Sequence, residues 1–244
     1  RRFHAKPNAC PVCGPQVWFQ VGKSASGLVG EVAVQATRRA LVEGEVVAVK
    51  GLGGFHLACD ATNDEAVDKL RERKGRVDKP FALMSFDLET VKRYCEVNEE
   101  EQALLTSHER PIVLLHRRSN RILSSGAAPG NQYLGVMLPY TPLHYFLLEP
   151  GDDFPIALVM TSGNYSEEPI ATGNDEALER LSSLADAFLL NDRDIHARCD
   201  DSVTRIFGGV ELPVRRSRGY APFPVKLPFK VGKILACGPE LKNT

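Results

Sequence analysis

No apolar run in this 244-residue sequence approaches the roughly 18–20 residues of a membrane-spanning helix. The N-terminus carries no apolar signal segment either: Arg1 and Arg2 lead into polar sequence. The formal net charge is −1, so no general attraction to nucleic acid or to an anionic membrane is expected, and any anion site must come from local clustering. The phosphate loop GxxxxGKS/T is missing, and Gly51, Gly53 and Gly54 do not form a GxGxxG. No Ser/His/Asp order and no nucleophile elbow speaks for covalent catalysis. Repeats and low-complexity tracts are absent, and so is an opening Met, which reads as a piece of a longer protein. Four of the six cysteines (Cys59, Cys95, Cys199, Cys237) stand singly and are expected to be free thiols of a reducing cytoplasm.

What is present is an ordinary soluble composition, 43% hydrophobic and 25% charged. Cys10-Pro-Val-Cys13-Gly is one knuckle of a zinc finger or ribbon, with two of the four ligands that Zn2+ normally takes. Residues 22–30 read as a small polar linker. From Leu28 to Val42 the apolar spacing is helical, with Gly44 as its C-cap.

The chain is organised around residues 45–86. Val46 to Val49 form a short apolar strand, and the glycines at 51, 53 and 54 turn the backbone. Thr62 with Glu65 is a capping box, so a helix should start near Asn63. It runs out into Lys74, Arg76 and Lys79, cations in a loop bounded by Gly75 and Pro80, for which an anion is the natural counter-charge. The strand 81–86 follows, and strand ends in α/β sheets are where ligands bind.

Further apolar strands are expected at 111–116, 134–138, 156–160, 187–190 and 202–207, with a return strand at 212–217 behind a Gly208-Gly209 hairpin turn. Asp87, Asn98, Thr141 and Asn174 are expected to open helices, the last running to Leu184. Residues 117–131 read as a mobile loop. Strands alternating with capped helices give an α/β fold with a mixed sheet. Polar loops at 50–56, 74–79, 161–168 and 191–202 would meet in a cleft with Lys50, Lys74, Arg76, Lys79, Arg198 and Arg218, which suits a polyphosphate. His56, His144 and His196 sit in loops or at helix starts, and His56 beside the glycine turn is the candidate for a chemical role.

RRFHAKPNACPVCGP, KGLGGFHLACDATN, RKGRVDKPFALM, TSGNYSEEPI, NDRDIHARCDDSV and RRSRGYAP span nearly the whole chain. In their order and length they resemble the YrdC-like domain of the HypF family of carbamoyltransferases. The resemblance implies a YrdC-like twisted mixed sheet with flanking helices and a concave basic cleft. It divides the chain into a zinc-finger tail (1–20), a nucleotide-binding domain (21–228) and the start of a truncated transferase domain (229–244). It implies that carbamoyl phosphate, by way of carbamate, and ATP give a carbamoyl-adenylate. The carbamoyl group then passes to the C-terminal cysteine of HypE for the cyanide ligands of [NiFe]-hydrogenase.

The family's KxR loop falls on Lys74 and Arg76, its Ser-x-Asn loop on Ser162 and Asn164 beside Thr161, and its Arg-x-Gly on Arg216 or Arg218. Lys74, Arg76 and His56 are the expected catalytic residues. Lys50, Lys79, Thr161, Ser162, Asn164, Arg198, Ser202, Arg216 and Arg218 are expected to bind the nucleotide. Mg2+ is expected with ATP, and Cys10 and Cys13 are expected to hold zinc. Where threonylcarbamoyl-adenylate formers carry a Pro-Thr-Glu-type turn, this chain has Lys50 to His56, which speaks for an acid smaller than threonine. Threonylcarbamoyl-adenylate synthesis and double-stranded RNA binding, the latter linked to the same fold, are the alternatives; a near-zero net charge and few aromatics near the cations count against RNA.

Overall fold

A computed structural model describes residues 14–22, 27–166, 168–225 and 227–235. The knuckle at Cys10 and Cys13 and the end of the chain from residue 236 lie outside them.

In chain order the elements are β1 (Val17–Val21), β2 (Leu28–Val29), α1 (Glu31–Val42), β3 (Val47–Lys50), β4 (Phe55–Asp60), α2 (Asp64–Lys74), β5 (Ala82–Met84) and α3 (Leu88–Lys92). They continue with α4 (Glu99–Thr106), β6 (Ile112–His116), a 3-10 turn (Ser125–Ala127), β7 (Tyr133–Met137), α5 (Pro142–Leu148), β8 (Leu158–Ser162), α6 (Asn174–Arg180), β9 (Ala187–Asn191), β10 (Val203–Phe207) and β11 (Val210–Arg215).

The strands form a single mixed sheet in the order β11-β10-β6-β7-β5-β8-β4-β3-β9-β1-β2. The β3–β9, β5–β7 and β6–β10 pairs are parallel, and the others are antiparallel.

Side chains alternate across the sheet, so its apolar strands feed two cores. Ala48, Leu57, Cys59, Val113, Val136, Val159 and Phe188 face one core, under Val67 and Leu70 of α2, Val91 of α3 and Leu105 of α4. Val47, Val49, Ala58, Met137, Met160 and Leu189 face the other, under Ala33 and Leu41 of α1 and Leu147 of α5. Burial on both faces is why these strands read as continuous apolar runs. Arg38 of α1 donates to the Leu147 carbonyl at 2.7 Å and lies 3.9 Å over the Phe154 ring, joining α1 to α5.

Several local expectations change. Phe55 to Asp60 is not the run-in to a helix but the buried strand β4, paired antiparallel with both β3 and β8. The glycines at 51–54 therefore form a hairpin turn, closed by the Gly51 N–H on the Gly54 carbonyl at 2.9 Å. His56 accordingly sits in a strand rather than in a loop.

Asn63, not Thr62, caps α2: its side chain accepts from the Ala66 N–H, while Thr62 donates to Asp60. Gly173 is the N-cap of α6, which ends at Arg180 rather than Leu184, and Glu176 takes the N–H groups of Thr172 and Gly173. Residues 117–131 are not a loose loop. They contain the 3-10 turn, and Leu123, Ala127 and Ala128 are buried. β1 pairs with β9 over its whole length. Asp87, Asn98 and Thr141 do cap α3, α4 and α5, and the Gly208-Gly209 turn has positive φ at both residues.

Candidate functional site: a cation-lined cavity over the sheet

The site begins where α2 stops. Gly75, at φ 60°, ends the helix in the left-handed conformation that a side chain would disfavour. The chain then curls around the buried Arg71. Its guanidinium donates to the carbonyls of Arg76 (3.3 Å), Val77 (3.0 Å) and Lys79 (3.1 Å), and its Nε to that of Gly126. Because these carbonyls turn inward, Arg76 and Lys79 are turned out toward a cavity.

Lys74 does not lie in that loop. It is the last residue of α2 and is buried. Its ammonium donates to the carbonyls of Ser162 and Asn164, both at 2.6 Å, and reaches Asn164 Oδ1 at 3.3 Å. Ser162 Oγ donates to the same Oδ1 at 2.7 Å, and Asn164 Nδ2 donates to the Glu168 carbonyl. The two polar loops expected to meet thus do so, through Lys74.

A second node also borders the cavity, and its His56 is the sheet partner of Ser162. His56 Nε2 lies 3.0 Å from Asp201 Oδ2, and Arg218 Nε donates to Asp201 Oδ1 at 2.7 Å. Burial alone would raise the Asp201 carboxyl, but His56 and Arg218 outweigh it and hold it well below the usual carboxylate range. As an ionised carboxylate only accepts, the His56 Nε2–H is the donor in this pair. His56 Nδ1 is buried with no hydrogen-bond partner among the described residues. Arg218 also donates to the carbonyls of Glu109 (2.9 Å) and Arg110 (2.7 Å) and lies 3.5 Å over the Tyr140 ring. His144 packs edge-on against Tyr140, and burial followed by His56 pushes it down to about 3, so it is neutral at ordinary pH.

The cavity measures about 540 Å3, within the roughly 300–1,000 Å3 usual for small-molecule sites. Its floor is the sheet face carrying Met160, Leu114 and Gly135, and Thr161 and Ser162 line it as well. A Cβ at Gly135 would come 2.9 Å from Ile112 Cγ2, so glycine keeps the floor low. Five cationic side chains, Arg76, Lys79, Arg205, Arg215 and Arg218, border it against two carboxylates, Asp200 and Asp201. Arg76 is pushed down to about 10, first by burial and then by the neighbouring Arg71 and Arg215. A half-buried cation crowded by other cations is an unfavourable arrangement without an anion. Arg76 Nε and Arg205 Nε are both buried without partners among the described residues.

Other expected residues stand back from the wall. Lys50 donates to the Asn191 carbonyl at 3.0 Å, Arg198 lies 3.8 Å from Glu176, and Arg216 holds the Tyr220 and Phe223 carbonyls. Ser202 is buried and donates to the Arg218 carbonyl. Of the two candidates for the Arg-x-Gly match, Arg218 borders the cavity. Arg205, Arg215, Tyr133 and Tyr140 border it too, without having been singled out as site residues; the alternation of β10 and β11 behind the glycine hairpin was the available signal. No group of three or more His, Cys, Asp or Glu is placed to hold a metal ion among the described residues. No helix among them is long and apolar enough to cross a membrane.

Sheet and cavity together define a member of the Sua5/YciO/YrdC family, to which the chain belongs: the model of that family, described as Telomere recombination, matches residues 39–217. Within that family the likeness is to HypF, and the HypF finger model matches residues 1–20. The chain is 50% identical over 245 residues to the carbamoyltransferase HypF of Rhodobacter capsulatus, covering 99% of this chain and 32% of that protein. A crystal structure of full-length HypF in its phosphate- and nucleotide-bound form superimposes with a TM-score of 0.81 at 52% identity, over 91% of this chain and 28% of that one. Mouse threonylcarbamoyl-AMP synthase is 30% identical over 146 residues, 58% of this chain and 51% of that protein. The chain thus spans about a third of the length of the first of these relatives.

Proposed function

We propose that this domain binds ATP in the cation-lined cavity and joins it to carbamate, giving carbamoyl-adenylate and pyrophosphate. The observation that carries this reading is the meeting of Arg76, Lys79 and Arg215 with Thr161 and Ser162 around one cavity, with Arg76 half-buried among like charges. A triphosphate supplies the missing negative charge. The nucleotide in the related HypF structure and the carbamoyltransferase name of the relatives support the choice.

In the step itself a carbamate oxygen attacks the α-phosphorus. The new O–P bond forms as the bond to the β-phosphate oxygen breaks, and pyrophosphate leaves with the electron pair. Both reactants are anions, so the protein must align them and offset their repulsion. Arg76 can take two phosphate oxygens, Lys79 acts as a point charge, and Thr161 and Ser162 offer hydroxyls. His56, fixed by Asp201, stands with Gly53 and Cys199 where a small acid would sit. Both Asp201 oxygens are already engaged, so Mg2+ would be held by phosphates and water. Cys10 and Cys13 would complete a zinc finger with ligands from a longer chain. Transfer of the carbamoyl group to the C-terminal cysteine of HypE, in the cytoplasm, belongs to that longer protein.

The test is pyrophosphate–ATP exchange. Carbamoyl phosphate should stimulate it in the full-length protein, and threonine with bicarbonate should not. Stimulation by threonine instead would move the domain to threonylcarbamoyl-adenylate synthesis. Tight, steeply salt-dependent binding of double-stranded RNA with no exchange would favour the RNA reading.

A further inference from the structure

Lys74 and Arg76 stand two residues apart at the end of α2, yet they face different surroundings. Arg76 borders the cavity, and its Nε has no partner among the described residues. Lys74 is only 2% exposed and is not among the residues that border the cavity. An ammonium has three N–H donors, and here three oxygens of one loop surround it: the carbonyls of Ser162 and Asn164 and the Asn164 side chain. The tie is reciprocal, since Ser166 Oγ donates to the Lys74 carbonyl at 3.4 Å.

The loop has other anchors, at its ends and on α6 and the residues after it: Arg180 holds the Glu168 carboxylate at 2.8 Å and the Pro169 carbonyl at 2.9 Å, and the Tyr165 hydroxyl meets Ser183. The Gly163 N–H meets the Phe55 carbonyl at 2.7 Å, and the Ala171 N–H meets the Gly163 carbonyl at 3.0 Å. Thr161 and Ser162, which border the cavity, lie directly before it.

We infer that Lys74 is a positioning residue: it fixes the loop that follows Ser162 against the end of α2, and acts on the nucleotide through Ser162 rather than by touching a phosphate. This rests on the nucleotide reading above, but its structural half can be tested without any nucleotide. A buried ammonium that lost these oxygens would be costly to leave unpaired, so the loop and the helix end move together.

The experiment compares Lys74→Met and Arg76→Gln with the wild-type chain in two measurements. The first is amide hydrogen exchange of the ligand-free protein. Lys74→Met should speed exchange at residues 163–171 at least tenfold, and Arg76→Gln should leave it unchanged. The second is ATP affinity as a function of salt. Arg76→Gln should flatten the salt dependence, because a phosphate-contacting charge is gone, while Lys74→Met should weaken binding with the wild-type salt dependence kept. Unchanged exchange together with a flattened salt dependence in Lys74→Met would overturn the inference.

If Lys74→Met does not fold, Asn164→Ala, which removes one of the three oxygens, carries the same comparison. It should loosen the loop and weaken ATP; tighter ATP binding, as expected if it frees Lys74 for a phosphate, would overturn the inference as well. A wild-type chain that binds no ATP would end the nucleotide reading, while the exchange data would still decide what Lys74 does.

Discussion

Replacing Arg76 by Gln should weaken nucleotide binding and leave the empty protein no less stable, two effects of opposite sign. Arg76 is held down to about 10 by burial, by Arg71 and by Arg215, so the folded protein disfavours its charge. It remains protonated at pH 7, and for a base with a depressed pKa that is an unfavourable contribution to folding at every pH below the folded value. Relief of this strain is worth roughly 1–3 kcal/mol after allowing for the exposed part of the side chain. Against it stands the lost contact with the Phe81 ring at 5.2 Å, about 0.5–1 kcal/mol. The net change is zero to about 2.5 kcal/mol in favour of the variant.

Bound phosphate reverses the balance. A charge-assisted hydrogen bond is worth about 1.5–3 kcal/mol, and 1.4 kcal/mol is a factor of ten, so the dissociation constant for ATP should rise about 10- to 100-fold. Calorimetric titration gives the affinity, and a thermal melt without ligand gives the stability. A melting temperature several degrees lower together with unchanged ATP affinity would show that Arg76 holds the fold rather than the ligand.

Other outcomes follow from the His56–Asp201–Arg218 node and from the glycine turn. His144 is neutral in the fold at about 3 against about 6.5 when unfolded, so stability should be lost as pH falls below 6.5; His144→Phe should flatten the melting temperature between pH 6.5 and 4.5. The Asp201 carboxyl is held down by His56 and Arg218 against burial, so its contribution is full above about pH 3.9 and is lost below it. At neutral pH Asp201→Asn should cost about 3–5 kcal/mol by urea titration, since it leaves buried charges unpaired. Gly53→Ala would place a Cβ against Cys199 Sγ and its carbonyl; it should lower stability by about 1–3 kcal/mol and leave Cys199 more reactive to a thiol reagent.

The α/β class and most strands are legible in the sequence because both sheet faces are covered, which makes strands such as Val47–Lys50 and Ala187–Asn191 largely apolar runs. Phe55–Asp60 was not, because His56 and Asp60 break its run and the glycines before it suggest the start of a helix instead. The pairing that makes it a strand is made with β3 and β8, and residues as far off as Ser162 supply it. The cations were legible as charge, but their division of labour was not. Arg71 looked like an ordinary helical charge, yet it holds the following loop by its carbonyls. Lys50, Arg198 and Arg216 are committed to carbonyls or to a carboxylate, and no spacing rule distinguishes them from Arg76. Arg205 went unseen because its direction depends on strand alternation next to a register shift at Val203/Thr204.

The central claim is that one cavity over the sheet holds a triphosphate. A crystal of the chain soaked with ATP and Mg2+ tests it most directly. Phosphate density within hydrogen-bond reach of Arg76 and Ser162, above the floor at Gly135, is the result this account predicts. Density on another face of the sheet, or an empty cavity at saturating ATP, would contradict it.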